Sequence, residues 1–242
     1  MVNQTTLVEK TWDAVRKTIN KFRENPYYFF TESDIHSYFY YCIYNSTFEV
    51  NRDKSRIYLV HREYPTNFRY SKKRLTTDGV YDPNHIDKVD NRTGRGHYDM
   101  VVINPDFATK AENINHIINK NISDTKDRFN GSKDNLKDEL LFAIEFKYII
   151  SNSKNWIEQV EIDNKKLEFA LKYGAKEVIN LVFCNNDYYY LDTLKETIKK
   201  SNGKINTILV QTYHDKETDI KELPRLISNN QSGFENKGIT AF

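Results

Sequence analysis

Glycine and proline are scarce in this chain of 242 residues, 8 and 5 in all, and only two cysteines occur. So little glycine and proline excludes a collagen-like repeat and long low-complexity linkers. Cys42 and Cys184 stand far apart without metal-ligand spacing, which excludes a disulfide framework and a cysteine-based zinc site. No apolar run approaches the roughly 20 residues that a membrane-spanning helix needs. The opening MVNQTTLVEK lacks the basic-then-apolar layout of a secretory signal. The expectation is a soluble protein of the reducing cytoplasm with no membrane partner, in which the Asn-x-Ser/Thr triplets at Asn45, Asn91 and Asn121 carry no glycan.

Aromatic residues are abundant, 17 Tyr and 14 Phe, within a 38% hydrophobic composition. That suffices for one substantial core and is too little for two, so a single domain is expected over residues 1–214, followed by a C-terminal tail at 215–242. Net charge is only +2, yet it is unevenly spread. Between Arg52 and Arg95 eleven Lys/Arg face six Asp/Glu. A local basic excess of this kind is what a polyanion partner requires.

Val8, Trp12, Val15, Ile19 and Phe22 recur at helical steps, and Thr6 with Glu9 forms a capping-box signature, so a helix is expected from Thr6 to Arg23. A second helix should start at Thr31, whose hydroxyl can cap the turn holding Asp34, and end near Asn45. Strands are expected at Phe48–Val50 and Arg56–Tyr64, the latter stopped by Pro65. Four apolar runs follow: His97–Ile103, Leu140–Ile149, Glu177–Cys184 and Ile205–Thr212. Their apolar residues fall on both faces, as in strands covered by helices on both sides. A helix through Ile157, Val160, Leu167 and Leu171, ended by Gly174, and another over Leu191–Lys200 complete the set, with a polar insertion at 105–137. The resulting fold class is α/β, a mixed central sheet flanked by helices and preceded by N-terminal helices.

The run LLFAIEFKYI places Glu145 and Lys147 two residues apart on one strand, hence on one face. Charges inside an apolar strand are expensive unless paired or bound to a metal. GHYDMVVIN adds Asp99 near the start of a second apolar strand. Two carboxylates and an ammonium are what hydrolysis of a phosphodiester uses: oxygen ligands for a hard cation, and a cationic group to steer the attacking water.

An Asp on one strand followed by Glu-x-Lys on the next resembles the PD-(D/E)xK nuclease superfamily, with Asp99, Glu145 and Lys147 in the matching positions and Tyr98 where the motif has proline. The resemblance covers about Thr31 to Asn185 and implies a restriction-endonuclease-like core with Mg²⁺ or Mn²⁺ held by Asp99 and Glu145. It also implies a further acidic ligand from a preceding helix, where Glu32 falls, and helpers on the helix after Glu-x-Lys, where Gln159, Asp163 and Lys166 share a face. Glu63 at a strand end is another candidate site carboxylate, with His61 and His97 as weaker ones. FRYSKKRL mixes Arg69, Lys72, Lys73 and Arg74 with Tyr70, a composition suited to phosphate contact and stacking.

The expected activity is divalent-metal-dependent cleavage of nucleic acid, DNA ahead of RNA, with a homodimer as the arrangement that would supply two sites. The alternatives on the same residues are a nucleic-acid-binding module without catalysis and an interaction protein whose buried charges form a structural ion network.

Overall fold

The computed structural model describes residues 3–44, 46–52, 55–69, 95–110, 138–172, 174–184, 188–201 and 205–212. Helix α1 spans Gln4–Glu24 and starts two residues before the position expected from Thr6. The Asn3 side chain accepts the Thr5 N–H at 2.9 Å, so Asn3 is the capping group rather than Thr6. Its buried stripe of Leu7, Ala14, Val15, Ile19 and Phe22 follows the helical repeat. A single 3-10 turn, Pro26–Tyr28, leads to α2 at Glu32–Ile43. Thr31 caps α2 as its position suggests: its hydroxyl accepts the Asp34 N–H at 3.3 Å, while the Asp34 carboxylate accepts the N–H groups of Phe30 and Thr31, both at 2.9 Å. Those bonds hold the Asp34 carboxyl below its ordinary range.

The strands are β1 (Glu49–Arg52), β2 (Ser55–Tyr58), β3 (Val60–Arg69), β4 (Arg95–Ile103), β5 (Leu140–Ile149), β6 (Glu177–Cys184) and β7 (Asn206–Gln211). The first two form an antiparallel pair; the others form one mixed sheet in the order β3-β4-β5-β6-β7. β3 pairs antiparallel with β4 and β4 with β5, whereas β6 and β7 run parallel. Helix α3 is a single turn, Pro105–Ala108; α4 spans Asn155–Lys172 and α5 Leu191–Ser201. Gly174 adopts φ 95°, and the Ala175 N–H returns to the Ala170 carbonyl at 2.9 Å, closing α4 where a left-handed residue is needed.

Three strand expectations need correction. The run Arg56–Tyr64 is two strands, β2 and β3, separated at Leu59. Pro65 does not stop β3, which runs on to Arg69 with Pro65 opposite His97. β3 is an edge strand of the sheet, where a residue without an N–H can be tolerated. The last strand, read as Ile205–Thr212, is Asn206–Gln211. The insertion read at 105–137 opens with α3; its residues 111–137, and the tail at 215–242, lie outside the described residues.

The chain groups into two compact units, one from Met1–Asp13, Ile43–Ile144 and Lys165–Val178, the other from Ala14–Cys42, Glu145–Asn164 and Ile179–Phe242. In the first, Trp12 meets Phe142 edge-on at 6.3 Å and donates its indole N–H to Glu177 at 3.0 Å. In the second, Phe22 packs on Phe183 at 5.0 Å and on Tyr148 at 5.8 Å, and Ile149, Val160, Val182, Leu194, Ile198 and Leu209 form a continuous apolar cluster. No described helix is long and apolar enough to cross a membrane.

Candidate metal and catalytic site

The site is built around the second half of β5. Glu145 lies there with 1% of its surface exposed, and Lys147 follows two residues later, half-buried. The Lys147 ammonium stands 3.4 Å from the Glu32 carboxylate and 3.4 Å from that of Asp163. Glu32 is the first residue of α2, and its other link to β5 is a hydrogen bond from the Tyr148 N–H at 3.0 Å. Asp163 is buried on α4. One ammonium is thereby held between two carboxylates from two different helices, an arrangement that only the pairing makes affordable away from water.

Two aromatic contacts fix α2 against this strand. Phe146 meets the His36 ring at 4.8 Å and the Phe39 ring at 5.3 Å. His36 is buried and lies four residues after Glu32, one helical turn along the same face. The carboxylates of Glu32 and Asp99 and a ring nitrogen of His36 each offer one ligand atom, and these atoms lie within 4.8 Å of one another. Metal–oxygen distances of about 2.1 Å put opposite ligands about 4.2 Å apart, so donors up to 4.8 Å apart would have to draw in slightly to share one small divalent cation.

Asp99 sits on β4. Met100 of that strand pairs with Ile144 of β5. Lys166, nearly fully buried on α4, donates to the His97 carbonyl at 3.0 Å, two residues before Asp99. Its ammonium thus braces β4.

The remaining candidates fall elsewhere. Gln159 is half-buried on α4, one turn before Asp163, and its side chain makes no hydrogen bond among the described residues. Glu63 is exposed on β3 with φ 49°, a left-handed conformation that a non-glycine residue adopts at some cost. The His61 ring is tied to the Tyr58 carbonyl at 2.8 Å, and burial pushes its pKa down, against the opposing pull of that bond. His97 is exposed. Arg69 closes β3, while Tyr70, Lys72, Lys73 and Arg74 lie outside the described residues.

His36 was missed by the sequence reading, although the signal was present: a carboxylate and an imidazole at i and i+4 on one helix, Glu32 and His36 in TESDIHSYF. That spacing can bring two donor groups to one point. No protein-family model, no curated protein and no solved structure matches this chain.

Proposed function

We propose that the chain is a divalent-metal-dependent nuclease with a restriction-endonuclease-like core of the PD-(D/E)xK type, acting on phosphodiesters in the cytoplasm. The observation that carries this reading is the ammonium of Lys147, held 3.4 Å from both Glu32 and Asp163 on the strand that also buries Glu145. Carboxylates outnumber the lysine there. Surplus negative charge in a poorly solvated place is what a divalent cation relieves. Cys42 and Cys184 are not joined in a disulfide, in keeping with a reducing compartment.

Glu32, His36 and Asp99 would hold the metal, with Glu145 of β5 as a further candidate carboxylate. A bound cation of this class lowers the pKa of water and offsets the charge of a phosphate. An imidazole among the ligands suits Mn²⁺ better than the harder Mg²⁺. The protein's own groups do the rest. Lys147, oriented by Glu32 and Asp163, hydrogen-bonds the attacking water or the phosphate oxygens as negative charge builds on them. Lys166 ties α4 to β4 through the His97 carbonyl.

The test is direct: the purified chain and Lys147→Ala are incubated with single-stranded, duplex and branched DNA and with RNA, with and without Mg²⁺ or Mn²⁺. Metal-dependent cutting by the parent protein alone is expected. Cutting by both proteins, or by neither, would sink the proposal; in the second case the charged cluster is a structural ion network.

A further inference from the structure

The approach to α2 carries an unusual amount of exposed aromatic surface. Tyr27 is 86% exposed, Phe30 78%, Tyr41 75% and Tyr28 55%. These four lie within fifteen residues of sequence, and apart from Ile150 every exposed large hydrophobic side chain among the described residues is aromatic. Two of the four rings are braced. Tyr28 sits edge-on to Phe29 at 5.2 Å and to Tyr38 at 5.9 Å, and Tyr38 leans on Tyr41 at 6.2 Å. Phe29 is buried, stacks on Phe22 at 6.1 Å, and accepts the Tyr148 hydroxyl at its carbonyl at 3.2 Å. That bond ties the aromatic run to β5 next to Lys147, and Glu32 follows Phe30 by only two residues.

Charge points to one kind of occupant. The Lys21 ammonium lies 4.2 Å from the centroid of the Tyr28 ring, and the exposed Lys17 is one turn earlier on α1. Planar rings beside cations suit nucleobases flanked by phosphates. A duplex hides its base faces within the stack, whereas an unpaired strand presents them.

We propose that Tyr27, Tyr28, Phe30 and Tyr41, with Lys21, form a stacking platform for single-stranded nucleic acid, which makes an unpaired strand the substrate. The inference rests on the nuclease reading for its link to cleavage, while the binding it predicts does not depend on metal or on Lys147. The platform feeds the strand toward the start of α2. Because stacking is tolerant of base identity, little sequence preference follows.

The experiment uses full-length Lys147→Ala in a chelator, with dye-labelled oligothymidine and a hairpin duplex of equal length, read by fluorescence anisotropy. Single strand should bind at least about tenfold more tightly than duplex. Tyr27→Ala, Phe30→Ala and Tyr41→Ala combined should lower single-strand affinity by at least about tenfold and leave duplex binding unchanged. Tyr27→Trp and Phe30→Trp, which keep the stacking face, should retain binding, and thermal melts check that every variant is folded. Equal affinity for both ligands, or no loss in the folded triple variant, overturns the platform. So does a triple variant that only abolishes self-association, since the occupant would then be a second copy of the chain. Ring-dependent binding without Mn²⁺-dependent cutting by the parent protein would support the platform and sink the nuclease. Lys147-dependent cutting of single strands with a KM unaltered by ring removal would do the reverse.

Discussion

Two polar clusters interrupt the interior of the second unit, and they start from neighbouring residues of α4. Asn164 turns toward β6 and β7, where its carbonyl accepts the Asn180 amide at 2.7 Å and the Thr207 hydroxyl at 2.9 Å. Asp163, one residue earlier, meets Lys147. The first cluster is neutral, so burying it costs a few kcal/mol at most, and hydrogen bonds within the protein offset much of that. The second carries full charges that partners must compensate. Polar burial alone therefore does not mark a site. An excess of like charge around one counter-ion is what the proposed site adds, since such an arrangement gains from binding a cation.

Crossed readouts test this division most sharply. Lys147→Ala should lower single-turnover cleavage by about 10²–10⁴-fold while the protein stays folded, since the loss is of charge stabilisation in the transition state. A variant that cuts normally but melts early would erase the distinction between the clusters. Next in size, Mn²⁺ at about a hundred times its dissociation constant should add about 2.7 kcal/mol of stability. Calorimetry should show that gain shrinking in His36→Ala and persisting in Asn180→Ala. Asn164→Leu should destabilise by about 1–3 kcal/mol, because Asn180 and Thr207 lose their acceptor; denaturant titration measures it, and the cleavage rate well below the melting temperature should not change.

Smaller effects come from outside the two clusters. Thr31→Ala should cost about 0.5–2 kcal/mol in thermal stability by removing the α2 cap, and should weaken metal affinity as the turn holding Glu32 loosens. Glu177 is a half-buried carboxylate that accepts the Trp12 indole N–H. Burial raises its pKa above 4.5, and the Trp12 hydrogen bond counters only part of the rise. The folded state then holds the proton more tightly. The associated stability is complete below 4.5 and fades as pH rises through the folded value; Glu177→Gln should flatten that slope in melts recorded across pH.

Much of the scaffold was legible in the sequence. Leu140–Ile149 and Glu177–Cys184 are strands with the bounds expected, because both runs are apolar on both faces and buried along nearly their whole length. α2 was legible through Thr31 and Asp34, and the end of α4 through Gly174, since capping is local chemistry. Pro65 misled because edge position is a property of the sheet, which no local pattern reports. Asp163 could be placed on a helix face in advance, but the salt bridge to Lys147 depends on how α4 crosses β5. His36 hid inside an aromatic helix, where a histidine reads as packing.

The pairing of β4 with β5 slips by one residue where Val102 faces Phe142 and Ile103 faces Leu140. Leu141 is the extra residue of a bulge. For protein engineering this draws a boundary. On the Leu141 side of the bulge a gained or lost residue can be absorbed by reshaping the bulge. From Phe142 to Lys147 an added residue would invert which side of the sheet each later side chain faces. Graft designs must leave the six positions ending at Lys147 uncut.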